Sequence, residues 1–384
     1  MAVVASSFIQ QYGLLACIQC GKCTGGCPMS LKTRFNIRRL IYETIVGHGL
    51  DLQGRDELWD CTTCATCAIR CPKGVNPVDV IVGMRSHLVD GGRIPPTVRD
   101  PLKSVFLQGN PFNMARDQRS EWVGDLKVKK ISEGDEVLYF VGCAPAYDVR
   151  VQAVARALVR IFDEAGVSFG TLGNEESCCG SEMRRMGELG LFEYLEEENT
   201  ALFGQHAFAC MVTTSPHCYN TFQNEYQGLD FEILHATQFV ARLIEEGKLT
   251  FSKRVEKTVT YHDPCFLGKQ NRVFEEPRRI LQSIPGLRWV EMERSRERSL
   301  CCEGGGGRMW TEGTNPDERL AHVRVKEAVE TGAQILATAC PFCLMNLEDA
   351  ARTLGLDEAL QVMDIMELVA QGIRDRGQGT RDKG

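Results

Sequence analysis

Residues 17–28 read Cys-Ile-Gln-Cys-Gly-Lys-Cys-Thr-Gly-Gly-Cys-Pro, and residues 61–72 read Cys-Thr-Thr-Cys-Ala-Thr-Cys-Ala-Ile-Arg-Cys-Pro. Both follow C-x2-C-x2-C-x3-C-P. Three thiolates at two-residue intervals can wrap three irons of a cubane, while the fourth points away to the other cluster. The spacing assigns Cys17, Cys20, Cys23 and Cys71 to one [4Fe-4S] cluster, and Cys61, Cys64, Cys67 and Cys27 to a second. A structural zinc needs four ligands, normally as two C-x2-C pairs, and a redox dithiol needs only two. A third cysteine at the same interval has no job in either.

Between Cys27 and Cys61 lie 33 residues. Ile37, Leu40, Ile41 and Ile45 keep the rhythm of an amphipathic helix. Asn76-Pro77 opens another, with Val78, Ile81, Val82, Leu88 and Val89 on one face and Gly91-Gly92 ending it. Residues 1–92 are thus expected to form a helical ferredoxin domain with two clusters.

The whole chain has 384 residues and 18 cysteines, 44 Lys+Arg against 51 Asp+Glu, and a net charge of -7. Its 43% apolar and 25% charged residues are ordinary for globular domains. An acidic balance without a basic stripe argues against nucleic-acid binding. No apolar run is long enough to span a bilayer, and MAVVASSFIQQYG lacks a basic n-region. The expectation is a cytoplasmic protein that reaches a membrane only through a partner. In a reducing cytosol so many thiols point to metal ligation rather than disulfides.

Residues 93–135, broken by Pro95, Pro96, Pro101 and Pro111, read as a connector over the surface. Phe106 and Trp122 are expected to anchor it. Beyond it the chain repeats itself over 136–250 and 251–384. The strand 137–141 leads to Cys143, and the strand 258–261 leads to His262 and Cys265. Helices follow at 154–165 and 277–283, then Cys178-Cys179 and Cys301-Cys302. Longer helices come next at 191–203 and 318–331. Each copy closes on a strand and then Ser215-Pro216-His217-Cys218 or Cys340-Pro341-Phe342-Cys343. Equivalent cysteines are offset by 122, 123 and 125 residues. Strand and helix alternate, so the expected class is a multidomain α+β and α/β protein with parallel sheets in a duplicated unit.

The second copy offers five thiols, Cys265, Cys301, Cys302, Cys340 and Cys343, one more than a cubane uses. Five ligands point to a larger or more open iron–sulfur centre. The glycines 304–307 would let backbone amides approach sulfur. The run is not a P-loop, because no Lys-Ser/Thr follows. Taken alone, Cys340-Pro-Phe-Cys343 would read as a dithiol, but its companions argue otherwise. The first copy keeps Cys143, Cys178, Cys179 and Cys218, with Ser215 where the second has Cys340. Four thiols suffice for a further [4Fe-4S] cluster; Ser215 as a weak ligand, His217 as a substitute and an empty degenerate site are the alternatives. Cys210 has no counterpart and reads as a buried, inert thiol.

This layout resembles the D subunit of heterodisulfide reductase, a fusion of C and B subunits with cysteine-rich (CCG) repeats. It is also similar to the iron–sulfur subunits of glycolate oxidase and anaerobic glycerol-3-phosphate dehydrogenase, and to a subunit of tungsten benzoyl-CoA reductase complexes. The resemblance covers about 10–370. It implies a noncubane [4Fe-4S] cluster on Cys265, Cys301, Cys302, Cys340 and Cys343, and in the reductases two such clusters cleave a disulfide between them. This chain departs from the pattern at Ser215 and at Glu303, where the family usually has glycine.

Two functions follow as expectations: an electron-transfer subunit of an oxidoreductase complex, or a catalytic (hetero)disulfide reductase subunit. A metal-stabilised scaffold without turnover is a third. His262 is the weak catalytic candidate, as a proton donor to a departing thiolate or as a hydrogen-bond donor to cluster sulfur. His235 reads as a helix start, and Glu193–Glu198 as a solvated face. No Rossmann, Walker or flavin motif is present, so electrons must come from a partner such as a flavoprotein, hydrogenase, formate dehydrogenase or membrane cytochrome. The region of Cys17–Cys71 is the expected docking face.

Overall fold

The computed structural model describes residues 2–47, 50, 52, 54–311, 313–315 and 319–373. In the N-terminal region the Asn36 side chain accepts from the Arg39 amide and starts the helix Ile37–Ile45, which buries Ile37, Leu40 and Ile41. Asn76 caps Pro77–Asp90 in the same way, through the Val78 amide at 3.1 Å. This second helix is buried beyond the expected face, at Val80, Met84 and Arg85 as well. It lies between Asp56–Asp60, Thr66–Ile69 and the first repeat's helix Ser181–Met186, so little of it meets water.

Each repeat is a four-stranded parallel sheet. The strands are β1 (Val137–Tyr139), β2 (Phe169–Gly170), β3 (Cys210–Thr213), β4 (Glu232–His235), β5 (Thr258–Tyr261), β6 (Arg288–Trp289), β7 (Ile335–Thr338) and β8 (Gln361–Asp364). The orders are β2-β1-β3-β4 and β6-β5-β7-β8, with Val137 opposite Cys210 and Val259 opposite Ile335. The shared order supports the duplication read from the cysteines. The strand expected over 137–141 stops at Tyr139, although the Phe140 amide still bonds Val212. The outer strands β2, β4, β6 and β8 carry no thiol landmark that would announce them in the sequence. Helices stand at Gln152–Ala165, Leu189–Phe203, Glu275–Ser283 and Leu320–Glu330. The expected start at Glu318, and residues 374–384, lie outside the described residues.

The first long helix of each repeat packs on the last helix of the other: Gln152–Ala165 on Ile365–Gly372, and Glu275–Ser283 on Ala236–Glu245. This reciprocal exchange gives a pseudo-twofold pair with one hydrophobic core across both sheets. Cys143, Ser215, Cys265 and Cys340 all sit just past the carboxyl ends of inner strands, where open α/β sheets place their ligands.

The connector departs from the expected surface loop. Pro96–Gln108 is a helix that buries Val98, Leu102 and Val105, and Arg116–Val123 is a 3-10 helix that buries Arg119 and Trp122. Pro96 occupies the first turn, where no amide donor is missed, and Pro101 is tolerated inside. Trp122 is an anchor as expected. Phe106, 64% exposed, is not. No helix among the described residues is long and apolar enough to cross a membrane.

Candidate metal centres

The two N-terminal motifs fold alike. Gln19 and Thr63 take left-handed φ values of 56° and 50°, and Gly21 and Ala65 take 78° and 61°. Left-handed non-glycine residues cost energy, and here they curl each loop so that its thiols converge. Cys17, Cys20, Cys23 and Cys71 line one small cavity together. Cys20 is exposed there, and its three companions are partly so. Cys61, Cys64, Cys67 and Cys27 are all buried, and Cys27 lies close enough to the other three to repel their thiolates. Each motif therefore lends its fourth cysteine to the other's group. Burial pushes the Cys61 thiol up to about 12, and Cys67 also rises, chiefly from burial. Such thiols keep their protons unless a metal displaces them.

In the second repeat Cys302 and Cys343 stand 3.2 Å apart. The Cys301 thiol neighbours those of Cys265 and Cys302, and the Cys340 thiol neighbours that of Cys343. All five thiols are buried. The Glu303 amide donates to Cys301 Sγ at 3.4 Å, as Thr63 does to Cys61 and Gly180 to Cys178. A Cβ at Gly304 would lie 3.4 Å from Cys302 Sγ, so glycine does leave room beside sulfur. Gly306 serves another purpose: its φ is +69°, and a Cβ there would come within 2.5 Å of the Cys61 carbonyl oxygen. The glycine run thus seats the N-terminal domain on the second repeat. Cys301 Sγ donates to Thr62 Oγ1 at 3.5 Å with Cys64 close beside it, so the buried N-terminal group and the second-repeat group touch. Lys269, buried between them, donates to Thr66 Oγ1 at 2.8 Å and to the Ser299 carbonyl at 2.7 Å.

Glu303 holds a left-handed φ of +70° where its counterpart in the first repeat is Gly180 at +77°. The strain is offset by its carboxylate, which pairs with Lys32 and Arg308 at 3.1 Å each and accepts from the Leu320 amide. This departure from the family pattern is another clamp between the N-terminal domain and the second repeat.

In the first repeat the Cys178 thiol neighbours those of Cys143 and Cys179, and the Cys179 thiol neighbours that of Cys218. Ser215 Oγ accepts from the Cys218 amide at 3.3 Å and so caps the helix Pro216–Asn224. His217 does not join this group. Its Nδ1 meets Glu182 at 3.0 Å, its ring stacks on Phe266 with centroids 4.0 Å apart, and it bonds Cys340 of the second repeat. Burial opposes the imidazolium, but Cys340 and Glu182 outweigh it and raise the His217 pKa. Burial likewise opposes the Cys340 thiolate, and the hydrogen bonds from Cys343 and His217 lower its pKa.

His262 Nδ1 accepts from Arg324 Nε at 3.1 Å, and a ring nitrogen lies within 4.8 Å of the Cys302 and Cys343 sulfurs. Burial first, and Arg324 second, hold its pKa well below normal. The ring is therefore neutral and suits a hydrogen bond to sulfur better than proton donation. Cys210 is buried on β3, and His235 caps Ala236–Glu245, both as expected. Glu193, Glu197 and Glu198 are exposed.

Sequence reasoning missed the buried cations. Arg119, from the connector, brings two guanidinium nitrogens to 3.7 Å from Cys143 Sγ and pairs with Glu176 at 2.6 Å. Glu176 in turn accepts from the Val141 and Gly142 amides. Replacing Arg119 with Met strands a buried carboxylate and removes the cation facing Cys143. The expected loss is about 3 kcal/mol in anaerobic urea unfolding. An unchanged midpoint would show that Glu176 finds another partner.

The thiol groups, their amide donors and the glycine clearances fit iron–sulfur ligation. Comparison with known proteins agrees. The chain matches the 4Fe-4S dicluster domain over residues 13–75 and the cysteine-rich domain over residues 137–223 and 259–348. It is 36% identical over 335 residues to the "Probable iron-sulfur-binding oxidoreductase FadF" of Bacillus subtilis (strain 168), covering 84% of this chain and 47% of that protein. The chain thus spans about half the length of that relative. It is 34% identical over 399 residues to the D subunit of the dihydromethanophenazine:CoB--CoM heterodisulfide reductase of Methanosarcina barkeri (strain Fusaro / DSM 804), covering 95% of each. A solved hypothetical protein from Helicobacter pylori shares the fold, with a TM-score of 0.57 at 13% identity over 97% of this chain and 72% of that one. With two thiol motifs at its N-terminus and a duplicated cysteine-rich unit behind them, the chain belongs to the iron–sulfur proteins typified by the D subunit of heterodisulfide reductase.

Proposed function

We propose that the chain carries single electrons within a redox complex, between a partner subunit and the second cysteine-rich repeat. One observation carries this reading: the thiol groups are graded from surface to interior. Cys17, Cys20, Cys23 and Cys71 would hold a cubane at the surface, and Cys61, Cys64, Cys67 and Cys27 a buried one beside it. Cys265, Cys301, Cys302, Cys340 and Cys343 would hold the terminal centre, a noncubane [4Fe-4S] cluster, which Cys64 meets through Cys301. Cys143, Cys178, Cys179 and Cys218 would hold a further [4Fe-4S] group. Bound iron–sulfur clusters supply one-electron storage at potentials that charge and hydrogen bonds tune. The chain's own residues exclude water from the inner thiols, donate amides to three sulfurs, and place Lys269 and Arg119 where negative charge gathers.

Disulfide cleavage at the terminal centre is the second reading, favoured by the His217–Cys340 contact where the two repeats meet. Ser215, committed to capping a helix, weighs against a matched pair of centres. The proposed localisation is the cytoplasm, with any membrane contact made through a partner. Anaerobically purified protein should carry about twelve to sixteen irons and as many sulfides. It should accept electrons without a thiol present. A paramagnetic signal appearing only on oxidation with a thiol such as coenzyme M would favour disulfide chemistry, and colourless, sulfide-free protein would end both readings.

A further inference from the structure

The acidic balance of the whole chain hides a local excess of the opposite sign. Residues 1–42 contain Lys22, Lys32, Arg34, Arg38 and Arg39 and no Asp or Glu, and residues 61–78 contain Arg70 and Lys73 and again no acid. These seven cations leave the other residues at -14 in a chain whose total is -7. The expectation of no basic stripe holds for the average and fails here.

The fold gathers four of the seven around one place, while Lys32 pairs with Glu303 and Arg39 with Glu43. Lys22, Arg38 and Lys73 line the cavity shared by Cys17, Cys20, Cys23 and Cys71, and no carboxylate among the described residues lines it. Arg70 directly precedes Cys71, which lines the cavity, and its guanidinium lies against Gly26, where a Cβ would come within 2.6 Å of it. Lys22, Arg38, Arg70 and Lys73 are exposed. Beside them Ile18, which lines the same cavity, is 59% exposed, and Leu15 is 78% exposed. Two large apolar side chains left in water next to a ring of cations make the composition of a transient protein interface: a small apolar centre with a charged rim. The one thiol of the N-terminal groups classed as exposed, Cys20, lies within it.

We propose that this face docks a small acidic electron-carrier protein, whose carboxylates meet Lys22, Arg38, Arg70 and Lys73 while its apolar contact seats on Ile18 and Leu15. The carrier is the reductant. One electron leaves it for the surface thiol group, and no bond is made or broken. Opposite charge steers the encounter and fixes the approach, and it weakens with salt, as a carrier that must leave again requires. The proposal rests on the reading that Cys17, Cys20, Cys23 and Cys71 hold a redox group, and its test separates the two.

The probe is an oxidised acidic flavodoxin, titrated by calorimetry into the cluster-loaded full chain, with the rate of reduction by photoreduced flavodoxin followed in parallel. Affinity and rate should both fall steeply as salt rises from 20 to 300 mM, about tenfold or more. The variant Lys22→Glu/Arg38→Glu/Lys73→Glu should lose about tenfold or more of both at low salt, with its iron content and visible spectrum unchanged. A separate Ile18→Ser variant should weaken binding without changing the salt slope. Salt-independent binding, or a charge-reversed variant with full iron that binds as tightly as the parent, overturns the proposal. Charge-dependent sedimentation with phosphatidylglycerol vesicles, without flavodoxin binding, also overturns it and assigns the face to an anionic membrane surface. A parent protein that lacks iron yet binds flavodoxin in a salt-dependent way would sink the electron-transfer reading and leave the docking face standing.

Discussion

Replacing Arg85 with Met should lower stability by about 5 kcal/mol and release the N-terminal domain from both repeats. Arg85 is fully buried and spends its guanidinium on carbonyl oxygens alone. Nε and Nη2 reach Leu58 at 3.1 and 2.7 Å, Nη2 reaches Cys61 at 2.8 Å, and Nη1 reaches Arg185 at 2.8 Å and Gly306 at 3.0 Å. Those four carbonyls belong to the N-terminal domain, the first repeat and the second repeat. Each buried acceptor left without a donor costs roughly 1–3 kcal/mol, and four are stranded at once. Part of that loss is recovered by removing a buried charge that stands over the Trp59 ring, 5.0 Å away, with no ion pair to it among the described residues. Lysine cannot span four acceptors, so Arg85→Lys should rescue little. Anaerobic urea unfolding gives the stability. Limited proteolysis should show early cleavage between residues 92 and 135, and an uncleaved, fully stable Arg85→Met protein would refute the junction.

Exchanging single cysteines should show the crossed ligation directly. Cys27→Ala is expected to remove about four irons from the buried group and leave the surface group intact, although Cys27 lies in the motif of Cys17, Cys20 and Cys23. Cys71→Ala should do the reverse. Iron counting alone cannot tell the two apart, so the readout is the rate of loss to a membrane-impermeant chelator. The surface group is the faster one in the parent, because Cys20 is exposed while Cys61, Cys64 and Cys67 are not. Fast-phase iron should vanish in Cys71→Ala and persist in Cys27→Ala. The opposite assignment would follow if each motif kept its own fourth ligand.

Which features can be read before folding depends on how far apart the partners lie in the chain. The thiol motifs, the helix caps at Asn36 and Asn76 and the offsets between repeats are local patterns or copies of one another, so they are legible. Arg85 meets partners 100 and 221 residues away, and Lys269 meets one 203 residues away. No spacing rule reaches that far. The connector misleads because its prolines read as breakers, whereas Pro96 starts a helix and Pro101 sits inside it. Arg119 therefore passes as one more charge in a loop. The Gly304–Gly307 run reads as serving sulfur alone, and two of its members, Gly305 and Gly306, instead pack against Thr62 and Cys61.

The contact between Cys64 and Cys301 also has a consequence for biogenesis. During synthesis the first two thiol groups are complete once residue 71 has left the ribosome, whereas the innermost centre waits for Cys343. The thiols that could take metal therefore become available in order, from the amino terminus onward. A stalled or truncated nascent chain would leave the factory already half wired, carrying reducible iron with nowhere inside to send its charge.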